Sequence, residues 1–181
     1  QLGALTIAQR DYVALRLILD NGAEGYAYGY DRGLPLFDIV ARAAQAYLGQ
    51  PAEDRNRLRR LALGPTPAPR AAMTRGMSLC DIALWDAWCQ SVGLPLWAAL
   101  GGARRRLPVM PVIGYGMTPE RAASETAALT ARGFRTIKCM IDGRDLAADS
   151  AGMEALASAL PEGARFGIDA HWSWSSVDEA L

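Results

Sequence analysis

From Val109 onward, short runs of strand-forming residues alternate with segments of helical period. This alternation limits the fold of the 181-residue chain more than any other feature. Val109 to Ile113 reads as a strand. Thr118 is placed to cap a helix that has Pro119 at its first position and runs to Ala131, and Gly133 ends it. Thr136 to Ile141 is the next strand, and Asp145 caps a helix that reaches Leu160 and stops at Pro161. Arg165 to Ile168 is the third strand, and Ser175 is positioned to cap one more helix. Strand and helix in turn predict a parallel sheet built from βα units. Chemistry in such sheets gathers at the C-terminal ends of strands. Lys138 lies near one such end. Asp169 and His171, the single histidine of the chain, lie at another.

The front of the chain follows a different rhythm. Tyr12 to Leu19 and Glu24 to Tyr30 flank Asn21-Gly22, a strong hairpin signal. From Leu36 to Leu48 the apolar residues Phe37, Val40, Ala41, Ala44 and Leu48 recur at helical spacing, and Gly49 stops them. Pro51 to Ala62 reads as a more polar helix and Gly64 to Pro69 as a loop. Met73 to Val92 is apolar on nearly every face, with Met77, Cys80, Leu84 and Trp88 on one stripe, so it belongs inside a core. Gly93 ends it, and Leu94 to Leu100 adds a short helical turn. The break near Leu107-Pro108 therefore divides an α+β domain, residues 1–106, from an α/β domain, residues 107–181. A full (β/α)₈ barrel takes about 250 residues. The second part is thus a small open α/β unit or the front of a barrel, and both chain ends read as cut.

Composition excludes more than it assigns. Lys plus Arg and Asp plus Glu number 19 each, which gives no electrostatic case for nucleic acid or an anionic membrane surface. Arg104 to Arg106 reads as a solvated turn. No apolar run is long enough to span a bilayer. The three cysteines have no metal-ligand spacing, and Cys80 and Cys89 fall in the apolar helix as small hydrophobes, so a reducing cytoplasm is the expected compartment.

The segment Met77 to Gly102 carries a more specific pattern. Asp81-Ile82-Ala83-Leu84-Trp85-Asp86, then Gly93-Leu94-Pro95, then Leu100-Gly101-Gly102 closely resemble, in order and spacing, a signature of the enolase superfamily in its mandelate racemase/muconate lactonising branch. The hairpin LILDNGAEGYAYG resembles that family's capping-domain hairpin, Gly133 to Lys138 its second barrel strand, and Asp169 the acid that ends its third. The resemblance implies an α+β capping domain followed by a TIM-like (β/α)₇β barrel, of which the first three strands are present. It also implies Mg²⁺ held by three carboxylates and abstraction of the proton α to a substrate carboxylate. That proton is weakly acidic, so the developing enediolate calls for a hard divalent cation on its oxygens.

By this resemblance Asp169 is the first Mg²⁺ ligand, and the other two lie on later strands. Lys138 matches the first lysine of a K-x-K motif. Met140 stands where the second lysine, the usual base, would be, and a thioether takes no proton at neutral pH. Lys138 and Met140 point to one side of the strand, where Lys138 has reason to pair with Asp169. His171 replaces a common asparagine. It serves as acid, base or hydrogen-bond donor toward substrate, or is a neutral hydrogen-bonded loop residue. Trp172 and Trp174 read as packing. Tyr28, Tyr30, Asp31 and Arg32 follow the hairpin, where the capping domain of relatives sends a loop over the active site. By this resemblance Tyr28, Tyr30 and Arg32 are candidate substrate contacts, and ordinary surface residues are the alternative. The expected activity of the full-length protein is acid-sugar dehydration on a small-molecule carboxylate, in a homo-oligomer. The alternatives are a racemase or cycloisomerase of the same family, or a silent relative that binds without turnover. Were 181 residues the whole product, the expectation is an inactive chain with an exposed, aggregation-prone sheet edge.

Overall fold

Asn21 and Gly22 turn the chain back on itself. Strand β1 (Tyr12–Ile18) pairs antiparallel with β2 (Glu24–Tyr30), with Tyr12 opposite Tyr30 and Ile18 opposite Glu24. The connection is a five-residue loop. In it Gly22 takes φ +83°, the Gly22 N–H donates to Leu19 O, and Asn21 Oδ1 accepts from Ala23 N. This computed structural model describes residues 9–65, 67, 69–114, 118–171, 173–174 and 176–178. They form two compact units, Gln9–Arg105 and a second from Arg106 onward.

In the first unit the hairpin lies on a long helix, and two shorter helices complete the core. These are α1 (Leu36–Ala44), α2 (Arg55–Leu63), α3 (Arg70–Val92) and the short α4 (Leu96–Ala99). Helix α1 ends earlier than its apolar period suggests, because bonds from Ala46 N to Ala43 O and from Tyr47 N to Ala44 O tighten the chain into turns before Gly49. Ala83, Ala87 and Cys80 of α3 are buried, with Leu36 and Leu58 packed into the same interior. Small residues let the elements close in. A methyl group on Gly25 would overlap the backbone of Ala83 and Ala87, and one on Gly76 would sit 2.7 Å from Ile39 O.

The second unit is a parallel three-stranded sheet in the order β3 (Val112–Ile113), β4 (Thr136–Met140), β5 (Arg165–Asp169). Helices α5 (Pro119–Ala131) and α6 (Leu146–Ala159) cover one face. The caps form as their residue types dictate: Thr118 Oγ1 accepts from Arg121 N at 3.3 Å, and Asp145 Oδ1 from Ala148 N at 3.0 Å. Strand β3 is shorter than its composition suggests, since Pro108 and Pro111 lack the N–H that a longer ladder needs. Ile113, Ile137, Cys139 and Ile141 are buried under the helices with Leu156 and Ala122. Thr136, Lys138 and Met140 alternate to the other, half-buried face. Trp172 and Ser175 lie outside the described residues. Among those described, no helix is long and apolar enough to cross a membrane.

The close crossing at Gly76 makes a test in which two effects oppose each other. Gly-to-Ala inside a helix usually gains about 1 kcal/mol, whereas overpacking a core costs about 1–3 kcal/mol. Gly76→Ala should therefore destabilise the protein in urea denaturation, and a gain in stability would contradict the packing described.

Candidate functional site

The register of β4 and β5 builds the site. Lys138 lies opposite Gly167 and Met140 opposite Asp169. Lys138 leans along β5 past the glycine, and its Nζ reaches Asp169 Oδ2 at 2.6 Å. The other carboxylate oxygen, Oδ1, accepts the His171 N–H at 3.0 Å and lies 3.7 Å from His171 Nδ1. His171 adopts φ +54°, a left-handed conformation uncommon for a residue with a β-carbon. The short bond from its own N–H to the Asp169 side chain holds it there. The Lys138 ammonium, and after it the His171 N–H, keep the Asp169 carboxyl below the usual carboxylate range.

Lys138, Asp169 and His171 thus meet at the C-terminal end of the sheet, with Met140 on the same face. The pair is neither buried nor free in water: the Lys138 and Asp169 side chains are 33% and 30% exposed. The arrangement offers one ammonium, one carboxylate and one imidazole, and at position 140 a thioether that accepts no proton. Among the described residues no three His, Cys, Asp or Glu side chains gather as they would around a metal ion. Both Asp169 oxygens are engaged, and one carboxylate is too few for a firmly held divalent cation, which prefers several oxygen ligands. Taken alone these residues do not make a metal site.

Tyr28, Tyr30 and Arg32 belong to the other unit. Tyr28 is exposed and its ring lies against that of Tyr12, at 6.4 Å between centroids. The Tyr30 ring lies tilted against Tyr12, 5.6 Å between centroids, and under the Arg10 guanidinium. Arg32 is exposed and takes φ +54°. The turn they share is fixed by Arg75 of α3, whose guanidinium donates to Asp31 O at 2.7 Å and to Tyr30 O. Sequence reasoning passed over Arg75, because its two carbonyl contacts join residues 44 and 45 positions apart and leave no periodic trace.

No protein-family model matches the chain. An L-Ala-D/L-Glu epimerase of Bacillus subtilis is 30% identical over 94 residues, 52% of this chain and 25% of that enzyme. An arabinonate dehydratase of Saccharolobus solfataricus is 27% identical over 115 residues, 62% of this chain and 31% of that one. The crystal structure of a racemase from Streptomyces coelicolor with bound magnesium superposes with a TM-score of 0.80 at 27% identity, covering 95% of this chain and 56% of that structure. In sequence and in fold the chain is similar to enolase-superfamily proteins of the mandelate racemase/muconate lactonizing type. The matches span between a quarter and just over half of these relatives' lengths.

The enolase-superfamily signature on α3 proves to be a structural joint of the first unit. Asp86 Oδ2 accepts the Tyr26 N–H at 2.9 Å and so pins helix to strand, while Ala83 makes room for Gly25. Trp85 and Trp88 meet edge to face, and the Arg55 guanidinium lies against both, 3.9 Å and 4.4 Å from their ring centroids. Asp81 faces Arg59, 4.0 Å away, and burial raises its carboxyl pKa despite the two nearby arginines.

The strand-end cluster should behave as a site rather than a brace. A partly exposed ion pair contributes little to stability, so Lys138→Met and Asp169→Asn should each change unfolding free energy by less than about 1 kcal/mol. A loss of about 3 kcal/mol or more in urea denaturation, the mark of a broken buried pair, would make the cluster structural.

Proposed function

We propose that the whole protein removes the proton α to the carboxylate of a small-molecule substrate and expels water from an acid sugar. In this reading the first unit is the capping domain, the second opens the barrel, and the full-length protein is a homo-oligomer. Asp169 is one of the carboxylates that would hold Mg²⁺, the others coming from elsewhere in the protein. The ion, when bound, would supply a hard cation for the oxygens of the developing enediolate.

One observation carries the reading: Lys138, Met140 and Asp169 share the open sheet face, with Met140 beside the acid. Lys138 places a fixed positive charge where the substrate carboxylate must be neutralised. Met140 leaves that wall without the base its position would otherwise provide. The proton therefore departs to a group on another wall. Elimination of water needs one base on one face, while racemisation by two bases needs both faces served. His171, held at the rim by Asp169, is positioned to donate to or accept from a substrate hydroxyl.

The experiment is a panel of acid sugars offered to the full-length protein with Mg²⁺ and with a chelator. Loss of water from one member, abolished by chelation and lowered about a hundredfold or more by Asp169→Asn, is the expected result. Epimerisation of dipeptides or of N-acyl amino acids without water loss would instead favour the racemase reading. Absence of turnover on every class would favour a silent relative.

A further inference from the structure

The loop that leaves β4 and the loop that leaves β5 are locked together by contacts that no feature of the cluster itself requires. Beyond β4, the N–H groups of Asp142 and Gly143 both donate to the carboxylate of Asp149, at 3.2 Å and 2.7 Å. Asp149 stands in the first turn of α6, so the helix holds the loop at its own N-terminus. Gly143 takes φ +73°, and a β-carbon there would overlap Ser173 Cβ, with Ser173 Oγ at 3.0 Å and Trp174 Nε1 at 3.2 Å. The backbone of one loop therefore lies flush against the side chains of the other. Trp174 is in turn packed against the core beneath the sheet. Ser173 closes its own loop, since both its N–H and its hydroxyl donate to Ala170 O. Between Ala170 and Ser173 lies His171, in its left-handed conformation over Asp169.

We propose that Gly143 and Asp149 are positioning residues. They form a latch that presses the β4 loop onto Ser173 and Trp174, and so fixes the backbone of His171 and the direction of the Asp169 carboxylate. Neither latch residue touches substrate. Asp149 acts through two backbone N–H groups, and Gly143 acts by having no side chain. The latch explains how a non-glycine residue keeps a left-handed backbone at this point: the loop has no room to relax away from the Asp169 side chain. Its importance for catalysis rests on the proposed role of the strand-end cluster. Its existence does not.

The test exploits a matched pair of glycines. Gly163, in the turn between α6 and β5, takes φ +76°, and a β-carbon there meets nothing within 4 Å. Gly143→Ala and Gly163→Ala thus carry the same backbone penalty, and only the first pushes on the loop of His171. In the full-length protein, amide hydrogen exchange at His171 should quicken by about tenfold or more in Gly143→Ala. It should stay at the wild-type rate in Gly163→Ala, although both variants lose melting temperature. Asp149→Ala should reproduce the Gly143→Ala pattern, and Asp149→Asn, which keeps one acceptor, should fall between. If a substrate is turned over, kcat should drop in Gly143→Ala and hold in Gly163→Ala. Equal exchange at His171 in the two glycine variants would overturn the latch whether or not any substrate is found. Faster exchange with unchanged kcat would confine the latch to the backbone and remove its positioning role.

Discussion

β4 and β5 pair in parallel with Lys138 opposite Gly167 and Met140 opposite Asp169. Side chains alternate along a strand, so this register decides which groups share the face away from the helices. Gly167 leaves the flank of Lys138 open, and the long side chain reaches along β5 to the acid at its end. A slip of β4 by one residue would turn the ammonium toward the helices and Leu156, and would bring Ile137 and Cys139 out onto the open face. The apolar face under α5 and α6 therefore fixes the polar face opposite it. The same core that folds the second unit also aims the cluster.

The two units spend their charged residues differently. In the first, Asp86 and Arg75 join α3 to the hairpin, through an N–H acceptor and two carbonyl contacts, while Asp81 and Arg55 join α3 to α2, through an ion pair and contacts with two indole rings. Burial raises the carboxyl of Asp81 and pushes the thiol of Cys80 up to about 11, as expected of groups set inside a core. In the second, Lys138 and Asp169 remain partly open to solvent while their strands are held rigidly from behind. The role proposed for the pair needs that combination of fixed backbone and accessible head.

Much of this was legible in the chain. The caps at Thr118 and Asp145, the hairpin at Asn21-Gly22 and the buried run on α3 follow from residue types at fixed offsets, and the structure has each of them. The pairing of Lys138 with Asp169 followed from strand alternation and from the need of an ammonium beside Met140 for a partner. The short β3 and the late start of α2 at Arg55 were not legible from apolar period alone: Pro111 has no N–H for the ladder, and residues 51–54 close a turn, Asp54 N–H on Pro51 O, before the helix begins. Arg75, Asp149 and Gly143 were harder still. Their effects are contacts between segments distant in sequence, or between a side chain and a backbone N–H, and neither leaves a periodic trace.

The central claim is that the wall formed by β4 and β5 lacks a base at Met140, so that proton removal occurs from one face only. Incubating the full-length protein with both configurations of a carboxylate substrate in D₂O, and following the α-proton by NMR, tests this directly. The account predicts that one configuration loses its α-proton while the other keeps it, with no inverted product. Exchange in both configurations, with interconversion between them, would show a working base on each face and contradict it.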